Sequence, residues 1–145
     1  MSTDILFSVA NKSVLPSWIA LALFPAHAHT STAVRASLTI NALCYALSLL
    51  KGSSDIPGSN FSTLKGVLNI FRKGDDYVLN ACWIHYLCFD LAMGAFITRD
   101  ANQSGGKIPH LMVVPCLFLT LMFGPVGFLS YSMVKFYFTR QFITI

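Results

Sequence analysis

Long runs of apolar residues, separated by short polar segments, dominate the pattern of the chain. A transmembrane helix needs about 20 mostly apolar residues, and four stretches have this character. They lie at residues 5–26, 33–50 and 76–98, with a fourth that begins at residue 109 and continues past residue 121. The pattern predicts an all-α integral membrane protein, one domain over residues 1–145, built as a bundle of four transmembrane helices.

The fourth apolar stretch is interrupted by Gly-Pro-Val-Gly at residues 124–127. Proline removes a backbone donor, so a helix breaks or bends there. At membrane depth such a break persists only where neighbouring groups satisfy the freed carbonyls. We expect a bend at this point, with the remainder to Phe138 tilted or running along the membrane interface.

A short amphipathic helix is predicted between the second and third spans. Its apolar positions recur at helical spacing, opposite a polar face: Phe61, Leu64, Val67, Leu68 and Phe71 against Lys65, Asn69 and Arg72. Such a helix lies on the membrane surface, although a helix packed on a soluble protein would show the same period. The loop before it is predicted at residues 52–60.

Composition and charge agree with a membrane location. Of 145 residues, 54% are hydrophobic and 11% charged, against about 25% charged in soluble domains. The basic residues lie mainly between the apolar runs, which indicates contact with membrane lipid and not with nucleic acid. Four spans would place both termini on one side, with seven Lys and Arg there (Lys12, Lys51, Lys65, Arg72, Lys73, Lys135, Arg140) against three opposite (Arg35, Arg99, Lys107). The positive-inside rule would then orient both termini to the cytoplasm or its organellar equivalent.

The N-terminal residues, which include Asp4, lack the features of a removable leader. A bacterial plasma membrane or an organellar membrane, plastid or mitochondrial, is therefore expected. The four cysteines lie inside apolar runs without CxxC spacing, so neither a zinc site nor a disulfide framework is indicated. His27 and His29 diverge by about 200° on a helix, and no metal or other cofactor is predicted.

Ionisable residues inside a span are costly and usually face the bundle interior or a wet cavity. The third span contains two, Asp90 and His85. At about 100° per residue, Trp83 and Tyr86 share a stripe with Asp90, whereas His85 points elsewhere. His85 would then need a partner on another helix, for which Asn41 and Asn80 are candidates. Asp90 and His85 are either polar pins that hold the helices in register or proton-transfer groups in an apolar pocket.

A second polar cluster brackets the loop between the third and fourth spans: Arg99, Asp100, Lys107 and His110. Because the two spans are joined by a short loop, we expect Asp100 and His110 to come within reach of one another, directly or through water. Charged residues at loop ends are also normal in membrane proteins.

At these residues the chain resembles the abscisic-acid-deficient-four-like membrane proteins. The resemblance rests on WIHYLCFDL at 83–91, on Arg99 with Asp100, on IPHLMVVPCLFLT at 108–120 and on FGPVG at 123–127. Weaker similarity extends through NKSVLPSW at 11–18 and the FSTLKGVLNIF segment at 61–71. The match is closer to the bacterial-style members than to the plant members, which are required for neoxanthin formation from violaxanthin.

The resemblance implies a role in carotenoid (xanthophyll) metabolism, with a redox-neutral isomerisation of an epoxide to an allene of the violaxanthin-to-neoxanthin type. Such a cofactor-free isomerase needs an acid and a base in a dry slot. Candidate catalytic residues are Asp90, His85, Tyr86, Asp100 and His110, and candidate substrate-binding residues are Trp83, Asn41 and Arg99. The alternative is a non-catalytic accessory subunit of a large respiratory or photosynthetic membrane complex. The expected partners are accordingly membrane lipid, a carotenoid, or the subunits of such a complex.

Overall fold

A computed structural model describes residues 1–52 and 56–143, and within these residues the chain forms six α-helices and no β-strand. The all-α prediction is confirmed. The helices are α1 (Thr3–Leu23), α2 (Ala28–Lys51), α3 (Leu64–Lys73), α4 (Asp76–Gln103), α5 (His110–Phe123) and α6 (Pro125–Thr139).

Three of these helices, α1, α2 and α4, are long and apolar enough to cross a membrane. They correspond to the first three predicted spans, and they identify a membrane protein. Met1 marks one end of the bundle, because its carbonyl accepts hydrogen bonds from the Lys51 ammonium at 2.9 Å and the Tyr77 hydroxyl at 3.3 Å. The opposite end is marked by Asn102, whose amide donates to the Pro25 carbonyl at 3.0 Å.

A polar seam joins α1 to α2. The Ser37 hydroxyl donates to the Ser13 carbonyl at 2.5 Å and lies 2.8 Å from the Ser17 hydroxyl. The Asn41 amide reaches the Ser13 hydroxyl at 2.7 Å. Because lipid offers no hydrophobic drive for helix association, small residues and interhelical hydrogen bonds of this kind determine which helix faces pack together.

α4 packs against α1 at Gly94, where the ring of Trp18 lies directly against the helix backbone. A Cβ atom added to Gly94 would lie 2.6 Å from Cζ3 of Trp18, so only glycine lets the buried indole sit against this face. Around it lies the main apolar core, to which Leu91, Ile97 and Val113 contribute. The core therefore joins α1, α4 and α5, and it also includes Val34 of α2 and Tyr131 of α6.

The chain reverses direction between α5 and α6. Gly124, at the junction, has a φ of 41°, a backbone conformation that side-chain-bearing residues rarely adopt. A Cβ atom on Gly127 would overlap the backbone of Thr120. In one continuous helix these two residues would be about 10 Å apart, so α6 folds back against α5 as a helical hairpin.

Both ends of this hairpin lie at the same end of the bundle. At the start of α5, His110 Nε2 is 2.7 Å from the carbonyl oxygen of Ala22, near the end of α1. Towards the end of α6, Lys135 and Tyr131 contact Asp100, near the end of α4. The tip of the hairpin, Gly124, lies against Asp90 near the middle of α4.

The prediction of a fourth span is therefore not confirmed, and the expected bend is a full reversal. Helices of 14 and 15 residues are too short to cross a hydrocarbon core of about 30 Å. The structure does not support the prediction that both termini lie on one side, because Met1 and Gln141 lie at opposite ends of the described bundle.

The reversal also changes the charge count on which orientation was based. Lys135 and Arg140 lie at the same end of the bundle as Arg35, Arg99 and Lys107, so this end has five basic residues. Five remain towards the Met1 end: Lys12, Lys51, Lys65, Arg72 and Lys73. The positive-inside rule consequently favours neither orientation.

The predicted amphipathic helix is present as α3, with its first turn capped by the Thr63 hydroxyl, which accepts from the Gly66 N–H at 3.1 Å. Phe61 and Leu64 are 88% and 76% exposed, which fits the prediction that this segment lies on a membrane surface. The part of the preceding loop at residues 53–55 lies outside the described residues.

Candidate functional site

A cavity of about 570 Å³ lies beside the tip of the hairpin, between α1 and α4. We call it the hairpin-tip groove. It is lined by Asn11, Val14, Leu15, Trp83, Tyr86, Leu87, Asp90, Leu121, Met122, Phe123, Gly124 and Pro125. The groove exists because the hairpin stops half-way along the bundle, which leaves the faces of α1 and α4 beyond its tip uncovered.

Asp90 is the one charged residue that lines this groove among the described residues. Its side chain lies beside Gly124, the residue between α5 and α6. A Cβ atom on Gly124 would be 2.5 Å from the Oδ1 atom of Asp90. Within the described chain Asp90 has no hydrogen bond or ion pair.

Trp83 and Tyr86 line the same groove as Asp90, so three residues of the predicted stripe come together. The Trp83 indole N–H donates to the Asn11 Oδ1 atom at 3.2 Å, which fixes the indole against α1. Tyr86 is one turn from Asp90 and 55% exposed. No hydrogen bond connects Tyr86 with Asp90 in the described chain, so its hydroxyl is available to a ligand.

This arrangement suits an apolar ligand with one polar group. The lining is mostly apolar, and its polar side chains are those of Asn11, Trp83, Tyr86 and Asp90. An aspartic acid surrounded by apolar groups, with no cation beside it, avoids most of its desolvation cost in the neutral form. It can then donate a proton or a hydrogen bond to a ligand oxygen.

His85 lies on another face of α4, away from the groove. Its ring packs 4.5 Å from the ring of Phe89 and 6.0 Å from that of Tyr45, measured between centroids. The expected hydrogen bond to Asn41 or Asn80 is not formed. His85 is therefore not brought together with Asp90 as an acid and base pair.

Asn41 is fully buried between α1 and α2. Besides Ser13, its amide donates to the Ser37 carbonyl at 2.9 Å, and its Oδ1 atom has no partner in the described chain. Asn80 plays a similar part between α4 and α2, donating to the Ser48 hydroxyl at 3.1 Å. Because Asn41 is enclosed by helices, the structure does not support its prediction as a substrate-binding residue.

Asp100 and His110 have separate partners. The Asp100 carboxylate accepts hydrogen bonds from the Tyr131 hydroxyl at 2.5 Å and the Lys135 ammonium at 2.7 Å, whereas His110 contacts the Ala22 carbonyl. A direct contact between Asp100 and His110 is not formed. Both residues instead hold the α5–α6 hairpin on the bundle, one at each of its two open ends.

Sequence reasoning did not identify Tyr131 and Lys135 as partners of Asp100, or Asn11 as part of the groove. The sequence did contain a signal for the contact between Lys135 and Asp100, because Lys135 lies in an apolar stretch, one turn after Tyr131. A lysine in that setting needs an acceptor, and Asp100 is at the same end of the bundle only if the chain reverses.

Arg99 lies outside the groove, in a separate cavity with Arg35 and His27. The described residues contain no group of three or more His, Cys, Asp or Glu side chains that could hold a metal ion.

The fold and groove define a class of small helical membrane protein, with three helices long and apolar enough to span a membrane and a helical hairpin whose tip meets a carboxyl group. The chain belongs to the ABA DEFICIENT 4-like family, whose model matches residues 5–131. Membership implies a role related to carotenoid or abscisic acid biosynthesis. The matched range includes the groove, the hairpin tip and Tyr131. No curated protein and no solved structure matches the chain.

Proposed function

We propose that the chain isomerises a carotenoid epoxide in the membrane, with the hairpin-tip groove as the site. The observation that supports this proposal is the position of Asp90, an unpaired carboxyl group in an apolar groove at the tip of the hairpin. A xanthophyll end ring would enter the groove from the lipid, since Trp83 and Tyr86 are 46% and 55% exposed. The polyene would lie along the exposed apolar wall.

The proposed reaction is redox-neutral and needs one proton to be given and one to be taken. Neutral Asp90 protonates the epoxide oxygen as its bond to carbon breaks. The carboxylate formed in this way removes a proton from the adjacent polyene carbon, which yields the allene and restores the neutral acid. Tyr86 donates a hydrogen bond to the oxygen, and Trp83, fixed by Asn11, stacks along the end of the polyene.

The test is expression of the chain in a host that accumulates violaxanthin, with pigments separated by chromatography. Asp90→Asn keeps the shape and hydrogen bonding of the side chain but removes the transferable proton, so conversion should fall by about 100-fold or more. The control is Asp76→Asn, which changes an exposed carboxylate in the first turn of the same helix and should leave conversion unchanged.

Three outcomes distinguish a catalytic role of Asp90 from the alternatives. Loss of product with an unchanged melting temperature supports a catalytic Asp90. Full conversion by a well-folded Asp90→Asn variant rejects that assignment. If the unmodified chain forms no product and purifies only within a large complex, the accessory-subunit alternative replaces the proposed function.

A further inference from the structure

A second cavity, also of about 570 Å³, lies where α1 ends and α2 begins, against the last turns of α4. We call it the basic pocket. Its charged lining consists of Arg35 and Arg99, beside His27 and Ser31. It shares no residue with the hairpin-tip groove, and nothing in the proposed reaction uses it.

Neither arginine of the basic pocket has a carboxylate partner in the described chain. Arg35 donates only to the neutral Thr32 hydroxyl, at 3.3 Å, and Arg99 has no hydrogen bond there. The acidic residue next in sequence, Asp100, is paired with Lys135, and no Asp lines the pocket. Two arginines thus line one cavity without a carboxylate partner among the described residues.

The pocket lies towards one end of the bundle, at the level where lipid headgroups would lie if α1, α2 and α4 span the bilayer. Arg35 lies seven residues, about 10 Å, into α2, and Arg99 lies four residues, about 6 Å, before the end of α4. Behind them the wall is apolar, with the buried side chains of Leu21 and Val34. A charged rim over an apolar wall fits a molecule with an anionic head and a hydrocarbon body.

We propose that the basic pocket binds the phosphate headgroup of an anionic membrane lipid. The planar guanidinium group presents paired donors that match phosphate oxygens, and basic pockets between transmembrane helices bind such headgroups in other membrane proteins. The acid-poor character of this end of the bundle, where Asp100 is the one acidic residue among the described residues and is already paired, adds to the attraction. A free phosphate ion would satisfy the same arginines but not the apolar wall.

The test uses the full chain in mild detergent and measures its melting temperature during titration with phosphatidylglycerol, phosphatidylcholine or inorganic phosphate. Phosphatidylglycerol should raise the melting temperature, and phosphatidylcholine should not. In the Arg35→Gln/Arg99→Gln variant the apparent affinity for phosphatidylglycerol should fall by about tenfold or more, the effect of losing a charged hydrogen bond. The matched control, Lys107→Gln/Arg140→Gln, removes two exposed charges at the same end and should retain the affinity of the unmodified chain.

Each alternative result overturns the proposal in a different way. Equal loss in both double variants indicates attraction to net charge and not a site. An arginine-dependent shift with inorganic phosphate, but none with phosphatidylglycerol, rejects a lipid as the ligand. Absence of any shift in the unmodified chain rejects the site itself. Because the assay needs no carotenoid, these results are independent of the proposed reaction.

Discussion

The Lys135 ammonium lies 2.7 Å from the Asp100 carboxylate, with the two side chains only 11% and 15% exposed. This ion pair connects the last turns of α6 to the last turns of α4 and closes the open end of the hairpin. Removing one partner of a mostly buried pair costs about 3 to 5 kcal/mol, because the other charge is left without compensation.

We therefore expect Lys135→Met and Asp100→Asn each to lower the melting temperature in detergent. The double variant should be more stable than the sum of the two single losses predicts, since it leaves no orphaned charge. Unfolding by heat, followed by circular dichroism, measures all three. Additive losses would show that the two groups do not act as a pair.

The hairpin predicts that the two ends of the described chain lie on opposite sides of the membrane. Single cysteines at Ser2→Cys and Phe142→Cys, in a background without the four native cysteines, should react with a membrane-impermeant reagent from opposite sides of sealed vesicles. Lys107→Cys, in the loop before α5, should label from the same side as position 142. Labelling of positions 2 and 142 from one side would reinstate a fourth span.

The hairpin turn should depend on the absence of a side chain at Gly127. Gly127→Ala places a methyl group into the backbone of Thr120, so it should cost about 3 kcal/mol or more and separate α6 from α5. Gly105→Ala is the matched control, because Gly105 has a φ of 64° but no neighbouring atom within 4 Å of an added Cβ. It should cost about 1 kcal/mol from backbone strain alone. A Gly127→Ala variant as stable as Gly105→Ala would contradict the close packing of the turn.

Asn41 should act in helix packing and not in ligand binding. Asn41→Ala removes the hydrogen bonds between the amide and α1, so the melting temperature should fall by an amount corresponding to about 1 to 2 kcal/mol. Pigment conversion per folded molecule should not change. A selective loss of conversion without a loss of stability would restore the prediction that Asn41 binds substrate.

The features that sequence predicted well are local. The first three spans follow from the length of apolar runs, and the predicted range 76–98 begins where α4 begins. The grouping of Trp83, Tyr86 and Asp90 on one side of α4 follows from helical periodicity alone. Each of these predictions needs only information within a few turns of the chain.

The reversal at Gly124 could not be predicted in the same way. A Gly-Pro break permits either a bend or a reversal, and the break itself does not select between them. The selection depends on contacts between residues distant in sequence, such as Asp100 with Tyr131, 31 residues apart. Once the direction of α6 is wrong, the position of the C-terminal residues and the charge count are wrong as well.

Because the hairpin reaches only half-way along the bundle, the two leaflets of the bilayer meet different amounts of protein. If α1, α2 and α4 span the bilayer, three helices cross the leaflet around the Met1 end, whereas the opposite leaflet also accommodates α5 and α6. The chain would then displace more lipid from one leaflet than from the other and would have the profile of a wedge. A wedge fits best where the membrane bends around its wider end, so we expect membrane curvature to influence where the protein is most stable.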